Sequence, residues 1–410
     1  MVASLAGVLV SAGLLALGFA LRAPLIGALF ASLPFGSTAI VTLGGSSPLV
    51  FSVFAVLLLA SIALRKGFLD DLAAVLANVR AVPIVCILTA YAVASAFLLP
   101  RLFAGATTAQ VVVEGALIEV PLGPVPGNVT QTAYLALGAL IFLGFCILLQ
   151  RQNRWHAIER GFFTFATVHA ALGAIDLGAK VAGAGDVLEP IRTASYAFLV
   201  DIMEQGFWRI VGAYPEASTF AGHTLPCLAF AFVYWRGTGS RYALALSLVL
   251  LLLLLLSTSA TGYTGLIILL LLLLGSIGLG GLRGRLRATD LALFAMVWVA
   301  LAIALCVYLY AERVFDPFLS MLDAMVFDKA ASVSGQERAY WNERGLEAFF
   351  ATYGLGIGMG SSRTSSWLVS VLSQTGRHRG RAVRHARGGV PARHRAGRGC
   401  GPGSRDRCAR

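Results

Sequence analysis

Charge is scarce in this sequence. Asp, Glu, Lys and Arg make up 13% of its 410 residues, where a soluble domain carries about 25%. So little polar material cannot coat a chain that is 58% hydrophobic, with a mean hydropathy of +0.79. That excludes an ordinary soluble globule and leaves lipid as the solvent. Cysteine is sparse and unpatterned. Cys86, Cys146, Cys227 and Cys306 fall in apolar runs, Cys400 and Cys408 in the tail, and no two have CxxC spacing. A zinc site or disulfide framework is therefore not expected, and the first four read as small buried hydrophobes. Residues 1–21 lack a basic start and an A-x-A cleavage site, so they read as a first helix rather than a removed signal. Acids are missing from the tail as well. Residues 377–410 hold eleven Arg against Asp406 alone, whereas residues 1–376 hold 21 basic and 19 acidic residues. The net charge of +12 thus belongs to the tail, and no nucleic-acid partner is expected.

What the sequence has is apolar runs of membrane-spanning length. They lie near 5–21, 48–64, 82–99, 132–150, 161–184, 217–235, 242–257, 263–281 and 289–310, and another begins near 364. The expected fold is an all-α polytopic bundle of about 10–11 transmembrane spans with a large outer loop between the last two. Segment 22–47, broken by Pro24 and Pro34, reads either as one irregular helix or as a re-entrant loop. Arg65, Lys66 and Arg80, then Arg151, Arg154 and Arg160, then Arg236 and Arg241, then Arg283, Arg285 and Arg287 fall in connections on one side. By the positive-inside rule that side is cytoplasmic, which predicts a multi-pass protein of the bacterial inner membrane. Segments 100–131, 185–216, 258–262 and 311–363 then face outward. Two units result: a transmembrane domain over 1–376, with outer loops 185–216 and 311–363, and the Arg-rich tail 377–410. The tail has no Leu, Ile, Met or Phe, Tyr or Trp, which is the residue mix of GC-rich codons read out of frame. The expectation is a frameshifted tail; the other reading is a disordered arm on anionic lipid headgroups.

Three outward-facing stretches carry residues with chemistry. GFWRIVGAYPEASTFAGH (206–223) places Arg209, Glu216 and His223 at the mouth of the helix that starts near 217. Charges at that depth usually face a cavity or bundle interior, although a helix-start carboxylate and an interfacial Arg serving topology alone fit the spacing better. SGQERAYWNERGLEAFF (334–350) puts Arg338 with Trp341 on one helix face and Tyr340, Arg344 and Glu347 on another. The bland reading is an amphipathic helix on the membrane surface. Gly354, Gly356, Gly358 and Gly360 follow, and such a loop can bring backbone amides to an anion. LLLSTSATGYTGL (254–266) reads as a tight hairpin packed through small residues. Asp176 and Lys180 lie four apart in an apolar span and read as a structural pair.

In this order the stretches resemble the O-antigen ligase and polymerase superfamily, most closely its exopolysaccharide polymerase-like branch. The matching residues are Arg209-x-x-Gly212-x-x-Pro215-Glu216-x-Ser218-x-x-Ala221, Ser257-Thr258-Ser259-Ala260-Thr261-Gly262, Ser334-Gly335-x-x-Arg338-x-x-Trp341 and the four alternating glycines. The resemblance implies a membrane glycosyltransferase acting on oligosaccharide linked to polyprenyl pyrophosphate, with the bilayer and other polysaccharide assembly proteins as partners and no cofactor or metal. Arg209 and Arg338 would then offset charge on the leaving pyrophosphate, with Glu216 as the third catalytic candidate. Tyr340, Trp341, Arg363 and His223 would bind substrate. Ligases of the superfamily usually carry a His-Asn pair where Ser365-Ser366 stands here, which tilts the resemblance toward the polymerase. The competing readings are a ligase that transfers glycan to a lipid or protein acceptor, and a polysaccharide or small-solute transporter. A transporter predicts inverted repeats and midplane charges, and the sequence has no convincing repeat.

Overall fold

The computed structural model describes residues 2–42, 47–113, 116–150, 154–195, 200, 203–204, 207–284, 290, 293 and 333–376. The expected span 289–310, almost entirely, the first part of the 311–363 loop and the tail 377–410 lie outside the described residues. The described chain is 71% helical, in twelve helices. Helices α1 (Leu5–Ala20) and α2 (Pro24–Ser32) form an antiparallel pair. Helix α3 (Val50–Ala63) turns through 103° into α4 (Phe68–Asn78). Then come α5 (Ala81–Leu102), α6 (Pro126–Leu149), α7 (Trp155–Ala182), α8 (Ala217–Thr238), α9 (Arg241–Leu256) and α10 (Ala260–Leu282), and finally α11 (Val333–Ala351) and α12 (Trp367–Thr375).

Four of these, α5, α6, α7 and α10, are each long and apolar enough to cross a bilayer, and the α3–α4 pair makes five if counted as one bent span. Several such helices make this a multi-pass membrane protein. Exposed side chains agree: Leu271, Leu272 and Ile267 of α10 point outward, at 62%, 67% and 58% exposure, and a continuous exposed apolar face is a mark of a membrane-contacting surface. Helices α1 and α9 are apolar but 16 residues each, or about 24 Å. Helix α2 is shorter still, and seven of its nine residues are buried. Segment 22–47 is therefore not one irregular helix. It forms α2 and then leaves helical structure over residues 33–42, whose backbone is tied to distant chain: Ser37 N donates to Ala213 O at 3.0 Å and Ala194 N to Ser37 O at 3.0 Å.

The main core lies where α2, α3, α6, α7, α8 and α9 meet, around Phe30, Phe54, Phe165, Phe220 and Leu250. Aromatic contacts join these helices, with Phe30 5.7 Å from Phe145 and Phe162 4.3 Å from Phe230. Strand is limited, among the described residues, to three antiparallel pairs. The largest, β3 (Thr108–Val113) with β4 (Ala116–Pro121), is a hairpin inside the segment expected only as an outer loop. The other pairs are Val2–Ala3 (β1) with Val41–Thr42 (β2), and Met203–Glu204 (β5) with Phe207–Trp208 (β6).

Residues 352–366 fold between α5, α6 and α12. Gly358 and Gly360 adopt φ of +93° and +77°, a region that glycine alone enters freely. A Cβ at Gly360 would lie 2.2 Å from Gly127 O on α6, and one at Gly358 2.7 Å from Ser95 O on α5. Gly360→Ala is expected to destabilise the protein by at least about 2 kcal/mol, from backbone strain and overpacking together. A thermal midpoint in detergent equal to that of the unsubstituted protein contradicts this packing.

Candidate functional site

The segment from 209 to 223 sits on a buried ionic frame. Asp176 lies on the last turns of α7 and is 2% exposed. Its Oδ2 accepts from Lys180 Nζ at 3.1 Å, from Val211 N at 2.8 Å and from Gly212 N at 3.1 Å. Its Oδ1 accepts from Arg192 Nη2 at 3.3 Å. Arg192 also pairs with Asp186 and donates through Nε to Gly212 O at 3.2 Å. Lys180 Nζ donates a second bond, 2.8 Å long, to Arg209 O. Two acids and two bases balance, and nearly every polar atom has a partner, which is the condition for charges to persist in a low-dielectric interior. The frame grips both ends of Arg209–Gly212 by backbone atoms. Gly212, at φ +58°, lets the chain turn there beneath the Phe220 ring.

This grip sets the side chains that follow. Tyr214 is buried, and its hydroxyl lies 3.3 Å from His169 Nδ1 and 3.4 Å from Leu33 O. His223 stacks on the Tyr214 ring with centroids 4.7 Å apart, and its Nδ1 lies 2.9 Å from Thr219 O. Glu216 is the residue before α8, in extended conformation, and its Oε1 accepts from Ser218 Oγ at 2.5 Å and Thr219 Oγ1 at 3.4 Å. A carboxylate beside the first turn also meets the positive end of the helix. The α9–α10 turn borders the same mouth. Ser257–Ser259 make the tight hairpin that the small residues predict, and Gly262 abuts Ala221 of α8 so closely that an added Cβ would lie 3.0 Å away. Thr258 sits at φ +47° with its buried hydroxyl unbonded among the described residues.

Arg338, Tyr340, Trp341 and Arg363 form a second group on other supports. Strand β3 receives residues 362–363 at its edge: Gln110 N donates to Ser362 Oγ at 3.0 Å and Arg363 N to Gln110 O at 2.9 Å. Helix α6 holds the loop through Asn128, whose Nδ2 donates to Met359 O and Ser361 Oγ at 2.8 Å each. Gln374 of α12 closes it, accepting from Gly360 N at 2.9 Å and donating to Ser362 O at 3.0 Å. The Arg363 guanidinium lies over the Trp341 ring, 5.4 Å from its centroid. Asn342 Oδ1 accepts from Ser365 N at 3.1 Å and Ser366 N at 2.8 Å, so the place of the His-Asn pair is a backbone turn held by an amide. Arg338 is exposed.

The helical faces expected over 334–350 are present. Tyr340 donates to Glu119 Oε2 at 2.6 Å, Arg344 Nε donates to Tyr340 Oη at 3.1 Å, and Arg344 Nη1 meets Glu347 Oε2 at 2.7 Å. Glu119 also accepts from Thr108. The hydrogen bonds from Thr108 and Tyr340, and then the Arg344 charge, hold the Glu119 carboxyl below its ordinary value of 4.5. A lowered carboxyl stabilises the fold fully above its unfolded value and loses that contribution as pH falls through the folded value. The tie between hairpin and α11 is therefore complete at neutral pH and loosens as pH drops below about 4.5. Hydrogen exchange of α11 amides should rise there in the unsubstituted protein, and an unchanged pH profile in Glu119→Gln would contradict the tie.

One expectation is corrected. Displaying glycine amides to an anion does not fit, because Gly354 N bonds Phe349 O, Gly356 N bonds Thr352 Oγ1, Gly358 N bonds Gln374 O and Gly360 N bonds Gln374 Oε1. All four are spent inside the protein, and the loop is a packing element. Arg192, Glu119, Asn128 and Gln374 carried no local signal as site-building residues; each acts on chain well separated in sequence. Among the described residues, no group of His, Cys, Asp and Glu has the arrangement to hold a metal. No protein-family model matches this chain, and no curated protein and no solved structure matches it either.

Proposed function

We propose that this protein is a glycosyltransferase of the bacterial inner membrane that polymerises oligosaccharide carried on polyprenyl pyrophosphate. The reading takes the whole chain as a bundle of about ten spans, with the arginine-bearing connections in the cytoplasm and the two groups above facing outward. One observation carries it: the buried Asp176–Lys180–Arg192 frame fixes the backbone of Arg209–Gly212 at the mouth of α8. A buried charge cluster is costly to build, and here it is spent on holding one short segment with an arginine, a carboxylate and a histidine beside it.

In the proposed step an acceptor sugar hydroxyl attacks the anomeric carbon of the donor glycan. The new glycosidic C–O bond forms as the bond from carbon to phosphate oxygen breaks, and polyprenyl pyrophosphate leaves with the electron pair. The hydroxyl proton passes to the Glu216 carboxylate. Arg209 offsets the charge that builds on the pyrophosphate, where a permanent bidentate cation serves best. Arg338 and Arg363 face solvent and engage the glycan or its pyrophosphate as it arrives. Trp341 and Tyr340 offer ring faces to sugar. Deleting the gene and weighing the lipid-linked glycans tests this reading. Single repeat units accumulating on the carrier support a polymerase, long chains accumulating there indicate transfer to another acceptor, and an unchanged profile rejects both.

A further inference from the structure

A second charged region lies at the opposite end of the bundle and takes no part in the proposed reaction. A cavity of about 280 Å³ opens there between the α1–α2 turn, α2, the end of α3, the end of α6 and the residue before α7, and Arg22, Arg65 and Arg154 all line it. None of the three pairs with a carboxylate among the described residues. The floor is apolar, made by Leu25, Ile26, Leu58, Ile62 and Leu148. Helix α2 starts in the same wall without a side-chain cap; its first residue, Pro24, has no N–H, Gly27 N bonds Ala23 O, and the amides of Leu25 and Ile26 have no partner within the helix. Exposed Trp155 follows Arg154 directly, as suits a side chain at headgroup level.

Helix ends explain cations here only singly. Arg22 and Arg65 follow the C-terminal ends of α1 and α3, which favour positive charge. That does not account for three like charges converging on one cavity beside an uncapped helix start. An anion that resolves the repulsion fits, and a phosphate group fits best: guanidinium forks match its oxygens, and helix N-terminal amides bind the same group. We infer that this cavity binds the phosphate of an anionic phospholipid, with the acyl chains lying on the apolar wall. The inference rests on the membrane setting and not on the transferase reading.

Native mass spectrometry of the purified full chain, exchanged into phosphatidylglycerol or phosphatidylcholine, tests it. Phosphatidylglycerol is expected to stay bound and phosphatidylcholine to be lost. Arg22→Gln, Arg65→Gln and Arg154→Gln together should weaken retention on the order of 100-fold, at the usual contribution per basic residue. Should the triple variant fail to fold, Arg22→Gln and Arg154→Gln alone, both at exposed positions, should each weaken it about fivefold. Equal retention of the two lipids, or variants that retain phosphatidylglycerol unchanged, would overturn the site. Protection by inorganic phosphate with no retention of phosphatidylglycerol would overturn the lipid as source and make the ligand a soluble phosphate.

Discussion

Replacing Asp176 with alanine is expected to remove most of the folded protein from the membrane. The substitution deletes the acceptor for four donors at once and leaves Lys180 and Arg192, both buried, without their shared counter-charge. Breaking a buried pair from one side costs about 3–5 kcal/mol. Each backbone amide stranded at Val211 and Gly212 adds about 1–3 kcal/mol. The sum rivals the whole stability of a typical domain, about 5–15 kcal/mol. Asp176→Asn separates the two contributions, because it keeps an oxygen for the amides and removes the charge. Its expected loss lies between alanine and the unsubstituted protein. Thermal unfolding in detergent reads all three, and near-native midpoints for both variants would show that the frame does not hold this segment.

The second large effect is on turnover. Arg209→Ala should lower glycan transfer by about 10²–10³, the usual loss when one group that stabilises transition-state charge is removed. Lys180 holds Arg209 by its carbonyl oxygen, which alanine retains, so the backbone stays fixed while the guanidinium is gone. Arg209→Lys should recover only part of the rate, since an ammonium cannot make the paired contacts of a guanidinium. Membrane abundance should match the unsubstituted protein. A full rate in Arg209→Ala would remove this residue from the reaction and leave its stretch a structural role alone.

Periodicity carried the helices well where side chains face lipid. Helices α5, α6, α7 and α10 lie close to the apolar runs that announce them, because each run is long and nearly free of charge. It served less well where backbone hydrogen bonds to remote chain decide the path. The path of segment 22–47 is set by bonds that link Ser37 and Ala39 to residues 193–213, which no local pattern encodes. The β3–β4 hairpin was open to detection, for Val111 and Ile118 belong to two short β-branched runs, but they sit in a stretch read only by its position between spans. At the site, Asp176 with Lys180 was legible because i, i+4 neighbours share a helix face. Arg192 was not, since nothing in a local window relates residue 192 to residue 176. The alternating glycines pointed to special backbone, which is present, but only the positions of Phe349, Thr352 and Gln374 show where their amides go.

The proposed activity is tested most directly in reconstituted vesicles. The purified chain would be given a polyprenyl-pyrophosphate-linked oligosaccharide, and free polyprenyl pyrophosphate and glycan length would be followed together. The account predicts carrier release in step with glycan growth, lost in Arg209→Ala. No release from folded, inserted protein, or release that Arg209→Ala leaves untouched, would contradict it.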